Sequence, residues 1–173
     1  MVGTSSQSLP KKWHVLYVAF KHEKKVAARI ADLNIESYLP LRKEVRMWGS
    51  RRKELELPLF PQYIFVKENP RFLVPLLRIN GVVKLLCFGK EYAIVKEDEI
   101  ESIRLILAEN IAFKEENIPF VKGKKVRIRR GAFEGVVGEL YQKGGKSRFL
   151  IRIDSIAKGI SVEVPIEWME EVY

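Results

Sequence analysis

Cysteine is nearly absent: Cys87 stands alone in 173 residues, so no internal disulfide can form. Its apolar neighbours predict an inert core thiol in a reducing compartment. Histidine is almost as scarce, with only His14 and His22. No paired-cysteine metal motif, phosphate loop or nucleophile elbow occurs. The carboxylates Glu97, Asp98, Glu99 and Glu101 read as helix-start charge rather than an acid–base pair. The chain is therefore expected to be no enzyme, with no metal and no cofactor. No apolar run approaches the roughly 18 residues of a membrane span, and Met1–Gln7 lacks the apolar centre of a secretion signal. A soluble, cytoplasmic monomer without membrane contact is the expectation.

What the chain does have is positive charge. Lys and Arg outnumber Asp and Glu by 31 to 22, for a net charge of +9 and an isoelectric point near 9.6. Such an excess attracts a polyanion, most plainly nucleic acid, and says nothing about fold. The apolar share of 47% is enough for one domain or two small ones with cores of their own.

The patterning divides the chain. Residues 1–12 are small, polar and unpatterned, and are expected to be a disordered tail. Trp13–Phe20 reads as a strand. His22–Leu33 reads as a helix, because Val26, Ile30 and Leu33 recur at helical spacing, with Asn34 suited to a left-handed stop. Ser37–Leu41 is extended. Glu44–Trp48 and Arg52–Leu57 form the arms of a cationic hairpin around Gly49-Ser50. Phe60–Lys67 is a strand with Tyr63 and Phe65 on one side and Ile64 and Val66 on the other. Pro70–Ile79 reads as a short helix, with Pro75 in conflict. Val82–Phe88 follows as a strand and Glu97–Leu107 as a helix. The order predicts an α+β domain, a mixed sheet with helices, over residues 13–110.

Residues 111–119 are polar and aperiodic and read as a linker. Beyond it, over 120–173, the pattern is all-β. Lys124–Arg130, Val136–Tyr141, Arg148–Ile153 and Ile160–Val164 are separated by turns at Gly131, Gly144-Gly145 and Lys158-Gly159. This suits a small five-stranded barrel, and its β-branched content argues for persistent strands.

Three features occur in order: a Trp-led strand followed by a cationic helix, the run Pro58-Leu59-Phe60-Pro61-Gln62-Tyr63-Ile64-Phe65-Val66 behind a basic hairpin, and the detached segment Gly123–Gly138 containing Gly131-Ala132-Phe133-Glu134-Gly135. Their order and spacing resemble the NusG family of transcription elongation and antitermination factors, in which an N-terminal domain is linked to a small SH3-like β-barrel, the KOW domain. NusG itself usually carries Gly where Gln62 stands. With Leu59 and the short length, the chain is closest in character to specialised paralogues such as RfaH and UpxY.

The resemblance implies a factor that docks on the clamp of RNA polymerase and suppresses pausing. It assigns Tyr17, Phe60, Tyr63, Phe65 and Phe88 to the docking patch. It assigns Lys21, His22, Lys25 and Arg29 to contact with non-template DNA, and the hairpin cations, Arg51 and Arg52 among them, to upstream DNA. In the barrel it assigns Ile156 and Lys158 to a loop that takes a ribosomal protein or Rho. Ile156 stands where NusG has an aromatic residue, and no His-Thr-Thr run occurs in Arg71–Arg78. Read from chemistry alone, the aromatics are either interface anchors or core filling, and the helix cations either phosphate contacts or a solvated face. The charged hairpin is either a nucleic-acid contact or an edge protected against strand pairing. The six cations Lys122, Lys124, Lys125, Arg127, Arg129 and Arg130 at the barrel's first strand leave RNA, a ribosomal protein or self-contact open. A rival reading of the whole is an RNA- or ribosome-binding module linked to translation, since KOW-type barrels also occur in ribosomal proteins.

Overall fold

The computed structural model describes residues 10–109, 112–117, 123–143 and 146–173. The expected tail falls mostly on residues 1–9, outside the described residues; Lys11 and Lys12 are ordered, and Lys11 pairs with Glu68 at 3.0 Å. Packing divides the chain into two units, Met1–Leu39 with Phe60–Lys96, and Pro40–Leu59 with Glu97–Tyr173. Expected boundaries at 13–110 and 120–173 follow chain continuity; packing instead groups the hairpin and the second helix with the C-terminal strands.

The first unit is built on an antiparallel sheet. Strands β1 (Lys12–Val18), β2 (Glu36–Tyr38) and, after the hairpin, β5 (Tyr63–Glu68) and β6 (Val82–Leu85) lie in the order β2-β5-β1-β6. A short strand at Ile94–Val95 also pairs with β1. In register, Tyr17 faces Tyr63 and Val15 faces Phe65. Helix α1 (Glu23–Asp32) covers one face, placing Val26 and Ile30 on Leu16, Val18, Ile64 and Val66. Leu33 is exposed instead of completing the stripe; the buried residue of the first turn is Glu23. Asn34 does take a left-handed φ of 56°. Pro75 resolves its conflict by splitting the expected helix into two 3-10 turns, Pro70–Phe72 and Val74–Arg78, which bury Leu73 and Leu76.

Cys87 departs from expectation. The chain leaves the sheet after Leu85 and turns through a separate pair of short strands, β7 (Cys87–Phe88) and β8 (Glu91–Tyr92). The thiol is consequently exposed.

The second unit holds the hairpin, β3 (Leu41–Trp48) and β4 (Arg51–Pro58), closed by Gly49-Ser50. Its other parts are helix α2 (Glu97–Ala108) and a six-stranded antiparallel sheet. With the Ile94–Val95 strand counted as β9, that sheet runs β10 (Phe113–Asn117), β14 (Lys158–Val162), β13 (Lys146–Ile153), β12 (Val137–Lys143), β11 (Lys124–Ile128), β15 (Met169–Glu171). Its core includes Val126, Ile128, Phe133, Phe149, Ile151, Ile153, Ile160 and Val162.

Two expectations are corrected here. Residues 113–117 of the expected linker are a strand, paired with β14 over its whole length. A polar strand shows no apolar period because ion pairs and hydrogen bonds hold it: Ser161 donates to buried Glu116 at 3.1 Å, and Lys158 pairs with Glu115 at 3.2 Å. The turn expected at Lys158-Gly159 sits earlier, at Asp154–Ile156 with Ala157 left-handed.

Candidate functional site

The aromatic residues singled out from sequence separate into two layers. Tyr17 and Tyr63, opposite one another on β1 and β5, touch edge to face with ring centroids 5.5 Å apart. Both are half-buried. Lys84, across from Tyr17 on β6, lies over its ring at 5.6 Å. Burial pushes the Tyr63 phenol up, and the neighbouring Tyr17 phenol adds to the effect. This pair presents aromatic edges with hydroxyl tips, a composition suited to a protein interface.

Phe60 and Phe65 do not join that surface. Both are fully buried. Phe65 is held between Tyr38, stacked at 6.4 Å, and Phe60, edge-on at 6.4 Å. The expectation that they dock a partner is corrected: they are core. Phe88 is exposed at 62%, and so is Phe20 at 64%, a residue the sequence reading passed over. Phe20 closes the β1 pattern where an apolar residue reads as one more buried position.

Between Phe60 and Tyr63 the chain makes a tight turn. The Tyr63 amide donates to the Phe60 carbonyl at 3.2 Å, Pro61 occupies the second position and Gln62 the third with φ of 71°. Proline followed by a positive φ is the pattern of a type II turn, whose third position favours glycine. Gln62 accepts this strain because its amide donates to the Glu23 carboxylate at 2.9 Å and its carbonyl accepts from Val18 at 2.8 Å.

Lys21, His22 and Lys25 gather at the start of α1, whereas Arg29 lies in its last turn, so the structure does not bring Arg29 to the helix start where the sequence reading put it. His22 occupies the cap position, and its Nδ1–H donates to the Phe20 carbonyl at 3.1 Å. Lys21 adopts a left-handed φ of 61° with its ammonium over Phe20 at 5.3 Å. Lys25 is exposed, and Arg29 donates to the Asn80 carbonyl. Gly81 follows with φ of 102°; a Cβ there would meet Val26 at 2.8 Å, so the loop passes α1 as closely as backbone allows. Cations at a helix N-terminus oppose the dipole, and an anion placed there relieves both.

Arg51 and Arg52 lie exposed at the hairpin tip in the second unit. In the six-stranded sheet region, Ile156 is buried and cannot meet a partner without local opening; that expectation is corrected. The 3-10 turn after β13 folds the side chain inward. Lys158 spends its charge internally, on Glu115 and on Asn117 at 2.7 Å. Of the cations in and just beyond β11, Lys124, Arg127 and Arg129 pair with Glu171 and Glu170; Lys122 lies outside the described residues. Among the described residues, no group of three His, Cys, Asp or Glu could hold a metal ion, and no helix is long and apolar enough to cross a membrane.

The chain is thus a two-part α+β protein, with a tyrosine pair at the surface of its antiparallel sheet and a second, β-rich unit. The family model described as "Transcription termination factor nusG" matches residues 11–104, more than half of the chain. The chain belongs to the NusG family of transcription factors. NusG of Thermotoga maritima, solved in a study of domain interaction, is similar over 94% of this chain and 98% of its own, at 21% identity and a TM-score of 0.50; at that identity the likeness speaks of fold alone. Two conformations of an MjSpt4:Spt5 complex are more distant, at 17% and 16% identity and a TM-score of 0.31, over 92% of this chain and 97% and 96% of theirs.

Proposed function

We propose that this transcription elongation factor docks on the RNA polymerase clamp through Tyr17 and Tyr63, with Phe88 and Phe20 as exposed apolar contributors. The observation that carries the reading is the half-buried tyrosine pair on adjacent strands, in a unit that also leaves Phe20 and Phe88 in solvent. Docking of this kind favours the closed clamp over the open, paused one, so the factor shifts a conformational population and leaves the chemical step alone. The cations Lys21, Lys25 and Arg29, with the His22 ring beside them, face the non-template DNA. Their charges meet phosphates, and the His22 Nε2 is available to an unpaired base. The hairpin serves the upstream DNA through Arg51 and Arg52.

The test is a pull-down of purified polymerase by the full chain, followed by pausing measured on a defined template. Tyr17→Ala with Tyr63→Ala abolishes capture at moderate salt and restores pausing. Lys21→Ala with Lys25→Ala leaves capture intact and lowers crosslinking to the non-template strand. Full capture by the tyrosine variant would remove the docking patch from the account.

A further inference from the structure

We propose that one face of the β3–β4 tip binds an unpaired nucleic-acid strand, the Trp48 indole stacking on a base while Arg51 and Lys53 hold the flanking phosphates. The inference rests on the nucleic-acid half of the reading above and names its ligand; it is independent of polymerase docking.

Register decides the composition of each face. Directly opposed residues in an antiparallel ribbon point the same way, and successive pairs alternate. Trp48 opposes Arg51, and two residues back Arg46 opposes Lys53, so an indole and three cations share one face. The opposite face carries Met47 with Arg52 and Val45 with Glu54, and its Lys43 pairs with Glu54 at 3.2 Å. Trp48 is 68% exposed, and Lys53 stands over its ring at 5.5 Å. The nearest acid on that face, Glu44, is occupied by Arg46 at 2.7 Å and Arg42 at 3.2 Å. Positive charge without an ion-pair partner among the described residues is thus concentrated at Arg51 and Lys53, beside the ring.

The turn leaves room for a ligand. Gly49 has φ of 60°, and nothing lies within 4 Å of the position a Cβ would take, as expected of a two-residue hairpin turn opening on glycine. A solubilising tip needs charge and no tryptophan; a protein-binding tip needs an apolar centre with few cations. An aromatic ring amid cations fits a strand with free bases, because stacking tolerates any base and cations track the backbone. Duplex bases are already stacked and offer the ring nothing.

Fluorescence anisotropy of labelled oligo(dT), oligo(U) and a blunt duplex of equal length, titrated with the full chain, tests this. Trp48→Ala is expected to weaken single-strand binding between about 5- and 150-fold, with duplex binding changed less than about 2-fold. Trp48→Phe recovers most of the loss. Arg51→Gln with Lys53→Gln lowers the salt slope by about 1.4, two phosphate contacts' worth. A loss confined to oligo(dT) or to oligo(U) identifies the strand type and supports the proposal. Unchanged single-strand affinity in Trp48→Ala, or equal losses on single strand and duplex, overturns it. Polymerase capture by Trp48→Ala, measured alongside, stays at the wild-type level and so separates this failure from a failure of docking.

Discussion

Tyr63 and Phe65 stand two residues apart on the same side of β5, yet substituting them is expected to do opposite things. Phe65 is fully buried, with Tyr38 stacked on one side and Phe60 edge-on at the other, each at 6.4 Å. Phe65→Ala removes the transfer energy of the ring and leaves a cavity, together about 3–5 kcal/mol, within which the two ring pairs account for about 0.5–1.5 kcal/mol each. For a small unit at about 4–8 °C per kcal/mol, Tm falls by roughly 15 °C or more. Tyr63 is half-buried, and its ring contact is to Tyr17 at 5.5 Å. Tyr63→Ala costs about 1–2 kcal/mol and is expected to leave a folded chain that polymerase no longer captures. Circular dichroism melts and the pull-down, run on both single variants, check this. A Phe65→Ala chain that melts like wild type but loses polymerase would refute the assignment of that ring to the core. A double variant mixes unfolding with undocking and decides nothing.

Glu23→Ala leaves the Gln62 amide without its acceptor at a strained turn and costs about 1–3 kcal/mol, whereas Glu23→Gln keeps an acceptor oxygen and costs less; urea unfolding midpoints order the three chains. His14 is buried with its Nδ1–H donating to the Ala93 carbonyl at 3.2 Å. Desolvation holds its pKa below the ordinary 6.5, opposed by that hydrogen bond and aided by Lys12. A lowered folded pKa means the unfolded chain takes up the proton first, so this contribution is complete above about 6.5 and is lost as pH falls below it. Imidazole resonances followed by NMR should titrate below 6.5, and a midpoint at or above that value contradicts the buried neutral ring.

The strands were legible wherever one rule governed them. Short apolar runs with both faces apolar located β1 and β5, Gly49-Ser50 located the hairpin, and the spacing of Val26 and Ile30 located α1. Failures share a cause: composition reports how apolar a segment is, and burial depends on what lies across from it. Phe60 and Phe65 look like interface aromatics in isolation, but Tyr38 and each other enclose them. Cys87 sits in an apolar run and is exposed because the chain has already left the sheet. Strand β10 is polar, and its partners, Lys158 and Ser161, lie about forty residues on. Glu23 gave no signal, since a carboxylate in a first turn ordinarily serves the dipole; the only hint was the non-glycine Gln62 at a position that wants glycine.

That hint bears on how the two proposed surfaces of the first unit are joined. Tyr63 follows Gln62 directly, and Val18, whose amide holds the Gln62 carbonyl, follows Tyr17. Glu23, which holds the Gln62 amide, opens the helix that carries Lys25 and Arg29. On the other side, Ala19 donates to Gly81, and the Arg29 guanidinium closes onto Asn80. The tyrosine pair and the cationic helix α1 are therefore ends of one hydrogen-bonded junction, in which Lys21 and Gln62 take a positive φ that side chains rarely adopt. Strained backbone of this kind persists only where its surroundings over-determine it. A junction so constrained keeps the aromatic edge and the cations in fixed register, as the proposed grip on protein with one and nucleic acid with the other would require.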